Sequence, residues 1–204
     1  MIRNWELQLA TDLSPGEEPL LAAAQRARDL TRRGRHGSAL EALWGLLIPA
    51  SRKRFGRRRA FLLVHMGHVY RHWLIDVAFR FFREARDIAR EEDLVRSEMV
   101  AECSIARLYL DWKERERALV HLERGLALAK TCSGRWWQRS VLAEVVDVLE
   151  SLGHVERAKR RRRMLERLDA ELAEELWGRD REPDDRPADA AHPSPPEGAK
   201  RCRS

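Results

Sequence analysis

The sequence predicts an all-α fold: an α-solenoid of about four helix-turn-helix repeats that ends in a long C-terminal helix. Three observations predict it. Apolar residues recur at helical spacing from Leu20 to Trp177, without strict alternation and with few β-branched runs, so strands are not expected. Short breaks at Gly34–Gly37, Ser51–Gly56, His72–Trp73, Asp93, Trp112, Thr131–Gly134 and Gly153 divide that pattern into about eight helices, most of about 14 to 20 residues. Four alanines, Ala39, Ala78, Ala118 and Ala158, stand 39, 40 and 40 residues apart.

Other positions keep the same phase. Leu30, Tyr70, Tyr109 and Leu149 form one ladder; Ala27, Gly67, Ala106 and Val146 form a second, mostly of small residues. Trp73, Trp112 and Leu152 form a third, in which the first repeat has Arg33. A pair of antiparallel helices cannot bury its apolar faces alone, so pairs must stack. A small residue on the first helix lets the second approach, and an alanine early in the second does the same in return. Leu43, Phe82 and Leu122 follow their alanines by four and fill the space between.

The ends differ from this middle. Residues 1–13 read as a leader, and Ser14-Pro15-Gly16-Glu17 reads as a helix start, with Ser14 as cap and Pro15 in the first turn. The repeat domain is expected to span 14–177. From Gly178 to Ser204 there are five of the eight prolines, six basic and six acidic residues, and no Leu, Ile, Val or Phe. Such a segment cannot bury enough apolar surface to offset ordering, and disorder is expected.

The phased residues resemble the tetratricopeptide repeat (TPR) superfamily over roughly Leu20 to Leu168. The stretches that carry the resemblance are Met66-Gly67-His68-Val69-Tyr70 followed by Ala78 and Phe82, and Ile105-Ala106-Arg107-Leu108-Tyr109 followed by Ala118 and Leu122. The period near 40 exceeds the usual 34 and indicates longer helices. The second unit is one residue short between Tyr70 and Ala78, and Arg162 stands where a large apolar residue is expected in the fourth. The resemblance implies a right-handed solenoid whose first helices line a concave, peptide-binding surface. In the last helix, Leu165, Leu168, Leu172 and Leu176 keep a 3–4 spacing that suits a cap over the open end of the array; a homodimer seam is the other reading.

Repeat phase places residues on that surface. One ladder reads Arg28, His68, Arg107, Asp147, and the next reads Arg32, His72, Asp111, Ser151. A third reads Gln25, His65, Ser104, Glu144, and a fourth Thr31, Arg71, Leu110, Glu150. The groove is thus expected to be basic in the first units, where Arg28, Arg32, Arg71 and Arg107 suit an acidic peptide stretch. It is expected to be acidic in the last, through Glu144, Asp147 and Glu150. The expected function is a scaffold that holds a peptide or helix of another protein.

The alternative is nucleic-acid binding through two basic runs: Arg52, Lys53, Arg54, Arg57, Arg58 and Arg59, then Lys159, Arg160, Arg161 and Arg163 around Arg162. Of the 39 basic residues behind the net charge of +6 only five are lysine, which points to codon usage as much as to phosphate binding. His65, His68 and His72 share a helix face, but no carboxylate or cysteine of that helix completes a metal set. Trp136-Trp137 is expected to pack between units. No Gly-rich phosphate loop, GxSxG or HExxH motif occurs, so neither a cofactor nor catalysis is expected. Three scattered cysteines give no CxxC pair, and no apolar run suits a signal peptide or membrane span. A cytoplasmic location is therefore expected.

Overall fold

In the computed structural model, residues 17–50, 56–131 and 134–177 are described. The leader, the cap at Ser14, Arg52–Arg54 and the tail from 178 onwards lie outside the described residues. Among the described residues eight helices follow one another: α1 Glu18–Arg32, α2 His36–Ala50, α3 Gly56–Tyr70, α4 Ile75–Glu91, α5 Val95–Asp111, α6 Arg115–Thr131, α7 Arg135–Ser151 and α8 Val155–Trp177. No strand occurs among the described residues. Each helix packs on the next, and α1, α3 and α5, the first helices of successive pairs, also pack side by side. The described residues form a solenoid of four helical pairs.

The phased alanines each occupy the fourth position of a second helix, and all four are buried. Leu43, Phe82 and Leu122, one turn on, are fully buried against the first helices. At Gly67 a Cβ would lie 2.5 Å from Phe82 Cε1, so this glycine is what lets the Phe82 ring settle on α3. Arg162 is exposed on α8, as the outer face of a terminal unit permits. The long period has a simple origin. Helices α4 to α7 each run 17 residues, and three-residue turns join α4 to α5 and α5 to α6.

Three of the turns inside units share one device. Gly34, Lys113 and Gly153 have φ of 73°, 63° and 73°, in the left-handed region. The next amide donates back into the last turn of the helix: Arg35 N to Leu30 O, Glu114 N to Tyr109 O and His154 N to Leu149 O, at 2.8 to 2.9 Å. Asp93 (φ 53°) repeats the device between units, with Leu94 N donating to Ala89 O at 2.7 Å. The second unit, one residue short, lacks a left-handed residue. There α3 stops at Tyr70, and Leu74 N closes the turn on Tyr70 O at 2.7 Å.

The long last helix lies antiparallel to α7. Arg135, at the start of α7, meets Glu175 at 2.6 Å, and Arg139 Nε donates to Asp169 Oδ1 at 2.5 Å. Leu172 is buried and Leu165 packs against the core, so these two leucines of α8 face inward and cover the end of the array. Trp137 is buried between units as expected, but its neighbour Trp136 is exposed. None of the helices among the described residues is long and apolar enough to cross a membrane.

Candidate functional site

The first helices bound a cavity of about 520 Å³. Its lining includes Arg28 and Arg32 from α1, His68, Arg71 and His72 at the end of α3, Arg107 and Asp111 from α5, and Glu144 and Asp147 from α7. Every charged or histidine position expected from the repeat phase is there except Glu150, which instead pairs with Arg162 of α8. The apolar floor comes from Ala24, Ala27, Val69, Leu110 and Val148. His65 also lines the cavity although its residue surface is only 4% exposed, with its ring edge-on to Phe61 at 4.5 Å.

The third ladder departs from the expectation. Ser104 is fully buried and donates to Val100 O at 2.8 Å, and Gln25 is absent from the lining.

The charges in the cavity meet one another across helices. Arg71 grips Asp111 with two hydrogen bonds, Nε to Oδ2 at 2.7 Å and Nη2 to Oδ1 at 2.9 Å. Arg107 Nη2 donates to Glu144 Oε1 at 2.6 Å, with both side chains mostly buried. These pairs lace α3 to α5 and α5 to α7. Two of the arginines expected to hold an acidic ligand therefore already carry carboxylates of the chain itself. Arg32 makes an exposed contact of 3.4 Å to Asp29, one turn back, which is worth little. The gradient remains: Arg28, Arg32, Arg71 and the histidines lie at one end, Glu144 and Asp147 at the other.

An aromatic ladder leaves this basic end. His72, in the cavity wall, stacks on His36 at 5.7 Å, and His36 stacks on Trp73 at 5.9 Å. Trp73 stacks on Tyr70 at 5.8 Å, Tyr70 on Phe81 at 5.2 Å, and Phe81 meets the edge of Trp44 at 6.2 Å. Trp73 and Trp44 are 51% and 41% exposed. The sequence shows Trp73 as one rung of a ladder but gives no sign that these rings come together.

A second feature escaped the sequence entirely. Glu102 on α5 is fully buried, and its Oε2 lies 2.6 Å from His121 Nδ1 of α6. Its Oε1 makes no hydrogen bond among the described residues; Arg90 Nη2 of α4 lies 3.5 Å from the carboxylate. The Arg90 guanidinium is held above its usual range chiefly by its hydrogen bond to Glu98. Nearby, burial pushes the Cys103 thiol well above its ordinary range, with Glu144 adding to the rise and Arg107 opposing it.

Most of the described residues of the basic runs have partners within the chain. Arg58 pairs with Glu17 at 2.6 Å and Arg59 with Glu84. Lys159 pairs with Glu156 at 3.0 Å, Arg161 with Glu123 at 2.8 Å, and Arg160 Nε donates to Glu156 O at 3.4 Å. Arg57 and Arg163 are exposed. Among the described residues no group of three His, Cys, Asp or Glu is arranged to hold a metal ion.

Comparison with solved structures places the backbone. A chain described as a kinesin light chain of Podosopora anserina with nearly identical TPR-like repeats superposes with a TM-score of 0.62 at 16% identity, covering 74% of this chain and 75% of that one. A single-substitution variant of that protein gives 0.63 at 16% identity, with 78% of each chain covered. BtubC (BKLC) from P. vanneervenii gives 0.64 at 16% identity, over 97% of this chain and 76% of that one. The chain has the TPR-like repeat fold. No family profile and no curated protein matches this TPR-like chain.

Proposed function

We propose that this TPR-like array is a protein-interaction scaffold whose groove of first helices holds an extended peptide or a helix of a partner protein. The observation that carries the proposal is the cavity that runs across α1, α3, α5 and α7 with arginines and histidines at one end and carboxylates at the other. Its volume falls in the range of ligand sites, and its apolar floor under a polar rim suits a peptide. The fold shared with repeat proteins described as kinesin light chains supports a scaffold role. The graded charge favours a segment whose acidic part lies over α1 and α3 and whose basic part lies over α7.

The test uses residues that are exposed. Arg32→Glu, His72→Glu and Asp147→Lys together reverse both ends of the gradient. Far-UV circular dichroism should be unchanged. Partners captured from native lysate by the wild type should be lost, with nuclease treatment making no difference. Capture that survives the triple substitution would place binding elsewhere. Capture that vanishes with nuclease would move the function to Arg57, Arg163 and the other basic-run residues.

A further inference from the structure

The aromatic ladder and the basic end of the groove form one continuous surface, because His72 belongs to both. Its chemistry is specific. Stacked, partly exposed rings accept proline and other rigid extended residues, and clustered arginines accept carboxylates. The complementary ligand is an acidic, proline-containing extended segment. The chain carries a stretch of matching composition itself: Glu182-Pro183-Asp184-Asp185-Arg186-Pro187-Ala188-Asp189, with four carboxylates, one arginine and two prolines.

Geometry decides which copy can deliver it. Arg32 and His72 lie at the turn edge where first helices end, and α8 starts at that edge and runs away from it. Its 23 residues carry Trp177 about 34 Å from the edge at ~1.5 Å per residue. Pro183 is six residues further on, a reach of roughly 20 Å at full extension. The segment would have to return along the whole helix and cross from the fourth unit to the second. The chain's own groove is out of reach for Glu182–Asp185.

We propose that the Glu182–Asp185 part of the tail of one copy docks on the His36–Trp73–Tyr70 ladder and the Arg32 and His72 end of the groove of a second copy. The proposal rests on the groove reading above and names one occupant for it. Reciprocal exchange of segments would close a two-fold dimer, and one-way exchange would build open chains.

The experiment compares the full wild-type chain with a full chain carrying Glu182→Gln, Asp184→Asn and Asp185→Asn. Sedimentation across a wide concentration range should show the wild type associating and the tail variant monomeric. A labelled synthetic peptide of residues 179–191 should then bind the tail variant, more weakly as salt rises. Trp73→Ala or Arg32→Glu in that background should weaken the peptide by about tenfold or more. Monomeric wild type with no peptide binding would overturn the proposal, as would association equal in both chains. A single-stranded oligonucleotide that binds the same surface while the peptide does not would also overturn it. The two readings fail separately: partner capture lost on charge reversal but kept in the tail variant leaves the groove standing without this occupant.

Discussion

The pair formed by Glu102 and His121 offers the sharpest test of how this array holds together. Glu102 is fully buried on α5, one of its oxygens is bonded to His121 Nδ1 at 2.6 Å, and the other has no hydrogen bond among the described residues. His121 also stacks on Tyr109 at 5.3 Å. Substituting His121 by Ala removes the hydrogen-bond partner of a buried carboxylate and a ring contact together. Arg90, at 3.5 Å and more than half exposed, is a weak substitute. Leaving a buried acceptor without its hydrogen-bond partner costs about 1–3 kcal/mol, and more when the acceptor is a carboxylate. A domain of this size holds about 5–15 kcal/mol in all, so the loss should be plain in a urea titration followed by circular dichroism. The control is the double replacement Glu102→Met with His121→Leu. It removes the pair without leaving a charge behind and should return to within about 1–2 kcal/mol of wild type. A single His121→Ala variant within about 1 kcal/mol of wild type at unchanged m-value would refute the reasoning. So would a double variant as unstable as the single one. Repeat arrays can lose cooperativity, so the m-value must be reported with the midpoint.

Further outcomes follow from the same geometry. Lys113 sits in the left-handed region that costs a non-glycine residue about 1–2 kcal/mol, so Lys113→Gly should raise the melting temperature, while Gly153→Ala should lower it. Phe82→Ala should cost about 3–5 kcal/mol in denaturant titration, because a fully buried ring is removed. Gly67→Ala drives a methyl group into that ring and should cost about 1–3 kcal/mol; Phe82→Leu in the same chain should recover part of the loss. Cys103 should resist alkylation in the native state. Its thiol is buried and its pKa is raised, so raising the pH to about 9 leaves it protonated and unreactive, and peptide mapping should show labelling only after unfolding.

The fold could be read because its determinants are local and periodic. A buried alanine at the fourth position of each second helix, with a large side chain one turn later, is written four times with one exception at Arg162. The same phase gathered the cavity residues. Arg28, His68, Arg107 and Asp147 come from four different helices, yet they share one cavity wall because equivalent positions in stacked units point the same way. Glu150 and Ser104 mark where that logic fails: one is drawn to Arg162 of the capping helix, the other rotates into the core.

By itself the sequence determined the helical pairs of the described residues, their turn positions and the order of charged residues along the cavity, since each depends on spacing along one chain. Only the tertiary structure decided which charges find each other and which rings touch. The pairs Arg71–Asp111 and Arg107–Glu144, the ladder from His72 to Trp44, and the burial of Glu102 against His121 all depend on ångström-level register between helices. Side-chain pairing energies fall away over a few ångströms, and a repeat period read from sequence fixes which helix faces which, not the distance at which their side chains meet.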